Sequence, residues 1–135
     1  MEEILKMLPH DETKRMIFRQ WIEQYDEKLL ERMPEGHFTA SGFIFNPEKT
    51  KTLMVFHNIY QSWAWTGGHA DGEENLLQTA LREVREETGL NNIKPVSKGI
   101  FSIEIIPVSG HIKSGSYVSS HLHLNVTYLV QADEN

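Results

Sequence analysis

Between Asp11 and Gly36, apolar side chains recur every three or four residues. Phe18, Trp21, Ile22, Tyr25, Leu29 and Met33 share a stripe with charges opposite, Asp11 can cap the segment, and Pro34-Glu35-Gly36 stops it. One helix packed on the core is expected. From His37 the pattern shortens: HFTASGFIFN, then TLMVFHN after a turn at Pro47 to Lys51, then SWAWT read as strands. A second helix is expected over residues 75–88, with Asn75 and Gln78 at capping-box spacing and Gly89 as its stop. Beyond it, IKPVSKGIFSIEIIPV and HLHLNVTYLV read as further strands. The Ser/Gly-rich stretch between them, Ser109 to Ser120, is expected to be a mobile loop at the rim of a site. Strands, a central helix and more strands predict an α+β domain with a mixed sheet.

Length and composition narrow this picture. At 135 residues the chain suits one domain, and without cysteine it has neither a disulfide framework nor a thiolate metal site or nucleophile. The net charge of -6 argues against a generic nucleic-acid binder, which needs surplus Lys and Arg to displace counterions. The acidic amino terminus lacks a signal peptide's basic region, and no apolar run is long enough to span a membrane. A soluble, cytoplasmic protein is expected, with the face of the first helix as a possible homodimer surface.

The charge is concentrated. Residues 68–90 hold six acids and two bases, which is -4 of the total. Within the second helix Leu77, Ala80, Leu81 and Val84 form the stripe to be buried, and Glu83, Glu86 and Glu87 stand at i, i+3 and i+4 on one face. Three carboxylates so close repel one another. A hard divalent cation, Mg²⁺ or Mn²⁺, compensates them and takes phosphate oxygens at its remaining positions. Arg82 can reach Glu86 or Glu74.

The segment TGGHADGEENLLQTALREVREETGL then places Gly68, five residues, Glu74, seven residues, and REVREETGL from Arg82 to Leu90 in one frame. This spacing resembles the signature of the Nudix hydrolase family at every specified position. The resemblance implies a mixed sheet sandwiched by helices, with residues 1–36 as an N-terminal helical extension and residues 37–135 as the Nudix domain. It implies metal-dependent hydrolysis of a nucleoside diphosphate linked to another moiety. Glu83, Glu86 and Glu87 resemble the metal-binding and catalytic acids, the Gly68 carbonyl a further metal contact, and Arg82 with Glu74 a structural ion pair. Thr66 stands where many members carry proline. A typical member continues past the last strand into a closing helix, whose place here falls to the N-terminal helix, to a partner chain or to sequence beyond Asn135. No substrate marker fits: Ile105 occupies the place of the proline of ADP-ribose-type members, with Pro107 two residues late.

Outside the signature, Glu104 is a candidate base or additional metal ligand. His121 and His123 alternate with leucines, so both face one side, His123 as a proton shuttle and His121 as a phosphate contact; His111 has a weaker case. Trp63 and Trp65, with Phe56 and Tyr60 nearby, are candidates to stack a base, although core packing is expected for at least one tryptophan. Lys113, Lys94 and Lys98 are the bases available to outer phosphates. Against the enzyme stands a second class, a Nudix-fold binding or regulatory module with little turnover.

Overall fold

A computed structural model of the chain describes residues 2–57 and 62–133. In chain order the elements are α1 (Glu2–Met7), α2 (Glu12–Tyr25), a 3-10 turn (Asp26–Leu30), β1 (Gly36–Phe45), β2 (Thr52–Leu53), β3 (Val55–His57), β4 (Ser62–Ala64) and β5 (Thr66–His69). They are followed by α3 (Leu76–Thr88), β6 (Ile93–Pro95), β7 (Ser102–Val108), β8 (His111–Lys113), β9 (Ser116–Val118) and β10 (His121–Ala132).

The sheet is built around β1 and β10, which run parallel from the Gly36–Leu122 pair to the Phe45–Gln131 pair. β5 and β2 pair antiparallel with the free edge of β1, and β7 and β6 do the same on β10. This is the mixed sheet of an α+β domain, as expected. Alternation along the two central strands sorts the side chains. Phe38, Ala40, Ile44, Leu124, Val126, Tyr128 and Val130 point to one face and are buried there, whereas His37, Thr39, Ser41, His123, Asn125 and Thr127 point to the other.

The layering differs from a sheet with helices on both faces. Ile4 and Leu8 of the first segment, Phe18 and Ile22 of α2, Leu29 and Leu30 of the 3-10 turn, and Leu76 and Ala80 of α3 all join Phe38, Ala40, Leu124 and Val126 in one cluster. Leu81 and Val84 of α3 extend it onto Ile44 and Val130. The helices among the described residues therefore share the apolar face. The opposite face is too polar on β1 and β10 to hold an amphipathic helix by burial.

Gly42 sets how closely α3 approaches: a Cβ there would lie 2.5 Å from Val84 Cγ2 and 3.4 Å from Thr66 Oγ1. Gly42→Ala should therefore overpack a buried contact and cost about 1–3 kcal/mol, read as a lowered thermal midpoint. An unchanged midpoint would mean that α3 docks less tightly than this geometry requires.

Local departures from the expected elements have local causes. The single helix expected through Met33 stops at Tyr25, where Asp26 takes φ 48°. No base occupies the last turn of α2 while Asp26 and Glu27 follow it, and acids disfavour a helix C-terminus but suit the start of the 3-10 turn. TLMVFHN divides between β2 and β3 because its consecutive apolar residues define no single face, and SWAWT divides at Trp65. The expected loop 109–120 is largely the β8–β9 hairpin, closed by Ser114 and Gly115 at φ 52° and 81°, a pair suited to a two-residue hairpin turn. Tyr60 lies outside the described residues. No helix among them is long and apolar enough to cross a membrane.

Candidate functional site

The carboxylates of α3 gather on the Gly67-Gly68 turn of β5. Asn75 Oδ1 caps the helix by accepting from Gln78 N at 3.3 Å, and Gly89 ends it in the left-handed region at φ 74°. That register turns Glu83 and Glu87 toward β5. Gly67 N donates to Glu87 Oε2 at 3.3 Å, and a Cβ at Gly68 would overlap the Glu83 carboxylate. Glycine is thus required for Glu83 to lie on the turn. Arg82 Nη2 donates to the His69 carbonyl at 2.9 Å and to Glu83 Oε1 at 3.4 Å, tying α3 to the end of β5. Crowding by the surrounding protein pushes both Glu83 and Glu87 above the usual carboxylate range; Arg82 opposes this at Glu83 and the Gly67 N–H at Glu87, while neighbouring glutamates add to it. A cradle of acids short of positive charge fits a divalent cation. Glu83, Glu87 and the Gly68 carbonyl are the groups that would hold it.

Across the sheet lies a second polar constellation. Asn125 is its hub: Oδ1 accepts from Thr39 Oγ1 at 2.8 Å and Ser41 Oγ at 3.0 Å, while Nδ2 donates to Glu104 Oε1 at 2.8 Å and Thr127 Oγ1 at 3.2 Å. Thr127 Oγ1 donates to the same Glu104 oxygen at 2.7 Å. At one end of this face Trp65 packs on Phe43, ring centroids 5.4 Å apart, and remains 43% exposed. At the other end His37, His69, His121 and His123 cluster in tilted and edge-on contact, with neighbouring centroids 4.9–5.1 Å apart.

Burial, with the mutual repulsion of the histidines and Arg32, lowers His69 to about 4 and His123 to about 3; His37 is lowered too, chiefly by burial. Asp71 works against this at His37 and His69, and Lys113 reinforces it at His69. The sign follows from linkage. The unfolded histidines take protons below about 6.5 while the folded ones resist, so stability falls as pH drops from 6.5 toward the folded values and is regained above 6.5. Denaturant midpoints in chelator-containing buffer should decline over that acid range. A flat profile would contradict the burial of these rings.

Residues 36–115 match the NUDIX domain family. The chain belongs to the Nudix family. Among curated relatives it is 26% identical over 117 residues to nucleoside diphosphate-linked moiety X motif 6 of Homo sapiens, covering 85% of this chain and 34% of that protein. It is likewise 26% identical over 101 residues to a probable DHNTP pyrophosphohydrolase of Lactococcus lactis subsp. cremoris, covering 75% of this chain and 57% of the relative. The chain thus spans about a third to just over half of the length of these relatives. Among solved structures, a Nudix hydrolase from M. smegmatis, RenU, aligns over 73% of this chain and 63% of its own at 18% identity, with a TM-score of 0.47.

Within the Nudix signature, Glu83, Glu87 and Gly68 come together, and Glu86 is exposed on the same helix without a hydrogen bond among the described residues. The expected Arg82–Glu74 pair is not formed, because Arg82 spends its guanidinium on the His69 carbonyl and Glu83 while Glu74 is exposed before the helix cap. Thr66, in the place of the family's proline, is fully buried and donates to the Gly42 carbonyl at 3.1 Å.

Outside the signature, Glu104 does not join the Nudix acids: it sits on β7, three strands from β5, roughly 14 Å at ordinary strand spacing. His121 and His123 share a face as expected, and burial together with the neighbouring histidines and Arg32 holds His123 down to about 3, so near pH 7 its ring is neutral and brings no positive charge to a phosphate. Neither tryptophan is buried in the core, since Trp63 is 67% exposed and leans on Phe56. His111 and Lys113 are exposed on β8, Lys113 close enough for its charge to bear on His69. His37, His69 and Asn125's partners Thr39 and Ser41 are the residues that sequence reasoning missed. The alternation His37, Thr39, Ser41 matches that of His121, His123, Asn125, but only the pairing of β1 with β10 brings the two sets together.

Proposed function

We propose that this Nudix protein hydrolyses the pyrophosphate bond of a small nucleoside diphosphate derivative with Mg²⁺ or Mn²⁺. Water attacks one phosphorus, the bridging P–O bond breaks, and the products are a nucleoside monophosphate and the phosphorylated remainder. The observation that carries this reading is the cradle in which Glu83 and Glu87 lie on Gly67-Gly68. A divalent cation there would neutralise phosphate oxygens as charge builds in the transition state.

The protein's own groups divide the remaining work. Glu86, exposed and unengaged among the described residues, is suited to accept the proton of the attacking water, because its oxygens are not held by a neighbour. Arg82 is a positioning residue that fixes Glu83. Trp65 with Phe43 supplies an exposed aromatic surface two residues from Gly67, on which a base can stack. Glu104, with its Oε1 taken by Asn125 and Thr127, positions the polar face rather than the water. The likeness to the L. lactis relative, a probable DHNTP pyrophosphohydrolase, points the same way.

Phosphate release after phosphatase coupling should appear with Mg²⁺ or Mn²⁺ on at least one member of a panel of dNTPs, ADP-ribose, NADH, nucleotide sugars and dinucleoside polyphosphates. Turnover on none of them, together with no Mn²⁺ binding by calorimetry, would replace the enzyme with a binding module.

A further inference from the structure

The histidines at the end of the polar face have no part in the pyrophosphatase reading. His37, His69 and His123 come from β1, β5 and β10, and each offers a ring nitrogen such that all three lie within 4.8 Å of one another. Ring packing alone would account for imidazoles in contact, but not for the state of His37. That residue is 5% exposed, and its Nδ1 lies 3.1 Å from the Met33 carbonyl. A carbonyl only accepts, so Nδ1 carries the proton and Nε2 keeps a bare lone pair. This buried Nε2 has no hydrogen-bond partner. An imidazole anchored through Nδ1–H to a backbone carbonyl, with Nε2 left open, is the arrangement that orients a histidine ligand toward a metal. His121 is anchored in the same way, with Nδ1 2.8 Å from the Ser119 carbonyl, but its Nε2 is engaged, accepting from His123 Nε2 at 3.2 Å.

We propose that His37, His69 and His123 bind one transition-metal ion of the Zn²⁺ type, with His121 beside them as a fourth imidazole, at a site separate from the carboxylates of α3. Ligand chemistry separates the two sites: imidazole nitrogen suits zinc, cobalt, nickel and copper, whereas carboxylate and carbonyl oxygen suit magnesium and manganese. Metal–nitrogen bonds of about 2.0–2.1 Å in a tetrahedral site bring ligand nitrogens to roughly 3.3 Å apart. Starting within 4.8 Å, ring rotations rather than strand movement close the gap. Arg32 is the cation whose field opposes binding, and Asp71 engages it at 2.9 and 3.1 Å and offsets part of that field at His37 and His69. Lys113 is exposed, where water and salt screen it.

The test is titration of the full chain with Zn²⁺ or Co²⁺ in excess Mg²⁺, which keeps the carboxylate site supplied with its own class of ion. One equivalent should bind with a dissociation constant below about 10 µM, with the visible bands of nitrogen-ligated Co²⁺. Zn²⁺ should shift the ring ¹⁵N resonances of His37, His69 and His123 in the wild-type protein, a readout that does not depend on any variant folding. His69→Asn and His123→Asn should each weaken binding roughly 100-fold, since outer-shell changes alone cost roughly 10–100-fold. The Glu83→Gln/Glu87→Gln double variant should bind Zn²⁺ as the wild type does. Absence of Zn²⁺ and Co²⁺ binding, unmoved histidine resonances, or binding lost in the glutamate variant would overturn the proposal, while leaving Mg²⁺-dependent phosphate release standing.

Discussion

Glu87→Gln is expected to lower phosphate release by roughly 10²- to 10³-fold or more, the scale of a single group that stabilises transition-state charge. The amide keeps the shape of the side chain and retains an oxygen for the Gly67 N–H, so what is lost is negative charge at the cradle. The fold should not suffer. Glu83 and Glu87 stand at i and i+4, and both carboxylates are already pushed up by crowding and by neighbouring glutamates. Removing one charge relieves a repulsion of a few tenths of a kcal/mol, so the metal-free melting temperature should hold or rise slightly. Glu83→Gln should behave alike, its amide oxygen still able to accept from Arg82, which loses the charge of that partner but keeps its hydrogen bond to the His69 carbonyl. Initial rates at saturating Mn²⁺, paired with circular-dichroism melts without metal, check both halves. A variant that turns over within tenfold of wild type would remove Glu87 from the site, and one that unfolds would make its role structural.

Sequence spacing made α3 and its acids legible because everything that places them is local. A cap at Asn75, a left-handed stop at Gly89 and the helical period decide which face carries Glu83 and Glu87, and two adjacent glycines supply the turn they rest on. What lay hidden depends on partners distant in sequence. His37 and His123 meet only because β1 pairs with β10 in parallel, and Thr39 meets Asn125 through the same register across 86 residues. Alternation told which residues share a face of a strand; it could not tell which strands are neighbours. The same gap explains Glu104, correctly placed on a sheet face but three strands from the acids it was expected to join. The expectation that at least one of Trp63 and Trp65 packs in the core failed for another reason: tryptophan in a strand is usually core, and here the core face was already filled by residues of β1, β10 and the helices.

Asn125→Ala is expected to cost roughly 3–5 kcal/mol, the lower part of the range for three losses of about 1–3 kcal/mol each, because it strips the shared acceptor from two buried hydroxyls and one of two donors from Glu104. Asn125 is 3% exposed, so water cannot readily replace the amide. Its neighbours make the expected loss specific: Thr39 and Ser41 lose Oδ1, and Glu104 Oε1 is left with Thr127 alone. Asn125→Asp sharpens the argument. It restores the acceptor for Thr39 and Ser41 but sets a second carboxylate against Glu104 and removes the Nδ2 donor. Two carboxylates in contact hold one proton between them, so the folded pair binds that proton to a higher pH than the unfolded chain does. Sign follows directly: folding of Asn125→Asp is favoured below the unfolded carboxylate range and loses stability as pH rises through the raised folded value. Urea midpoints measured relative to wild type at each pH should therefore bring this variant closest to wild type in acid and separate the two toward neutrality, whereas Asn125→Ala should show no such convergence. Equal penalties for Asp at both ends of the range would mean that Asn125 and Glu104 are not coupled across β7 and β10.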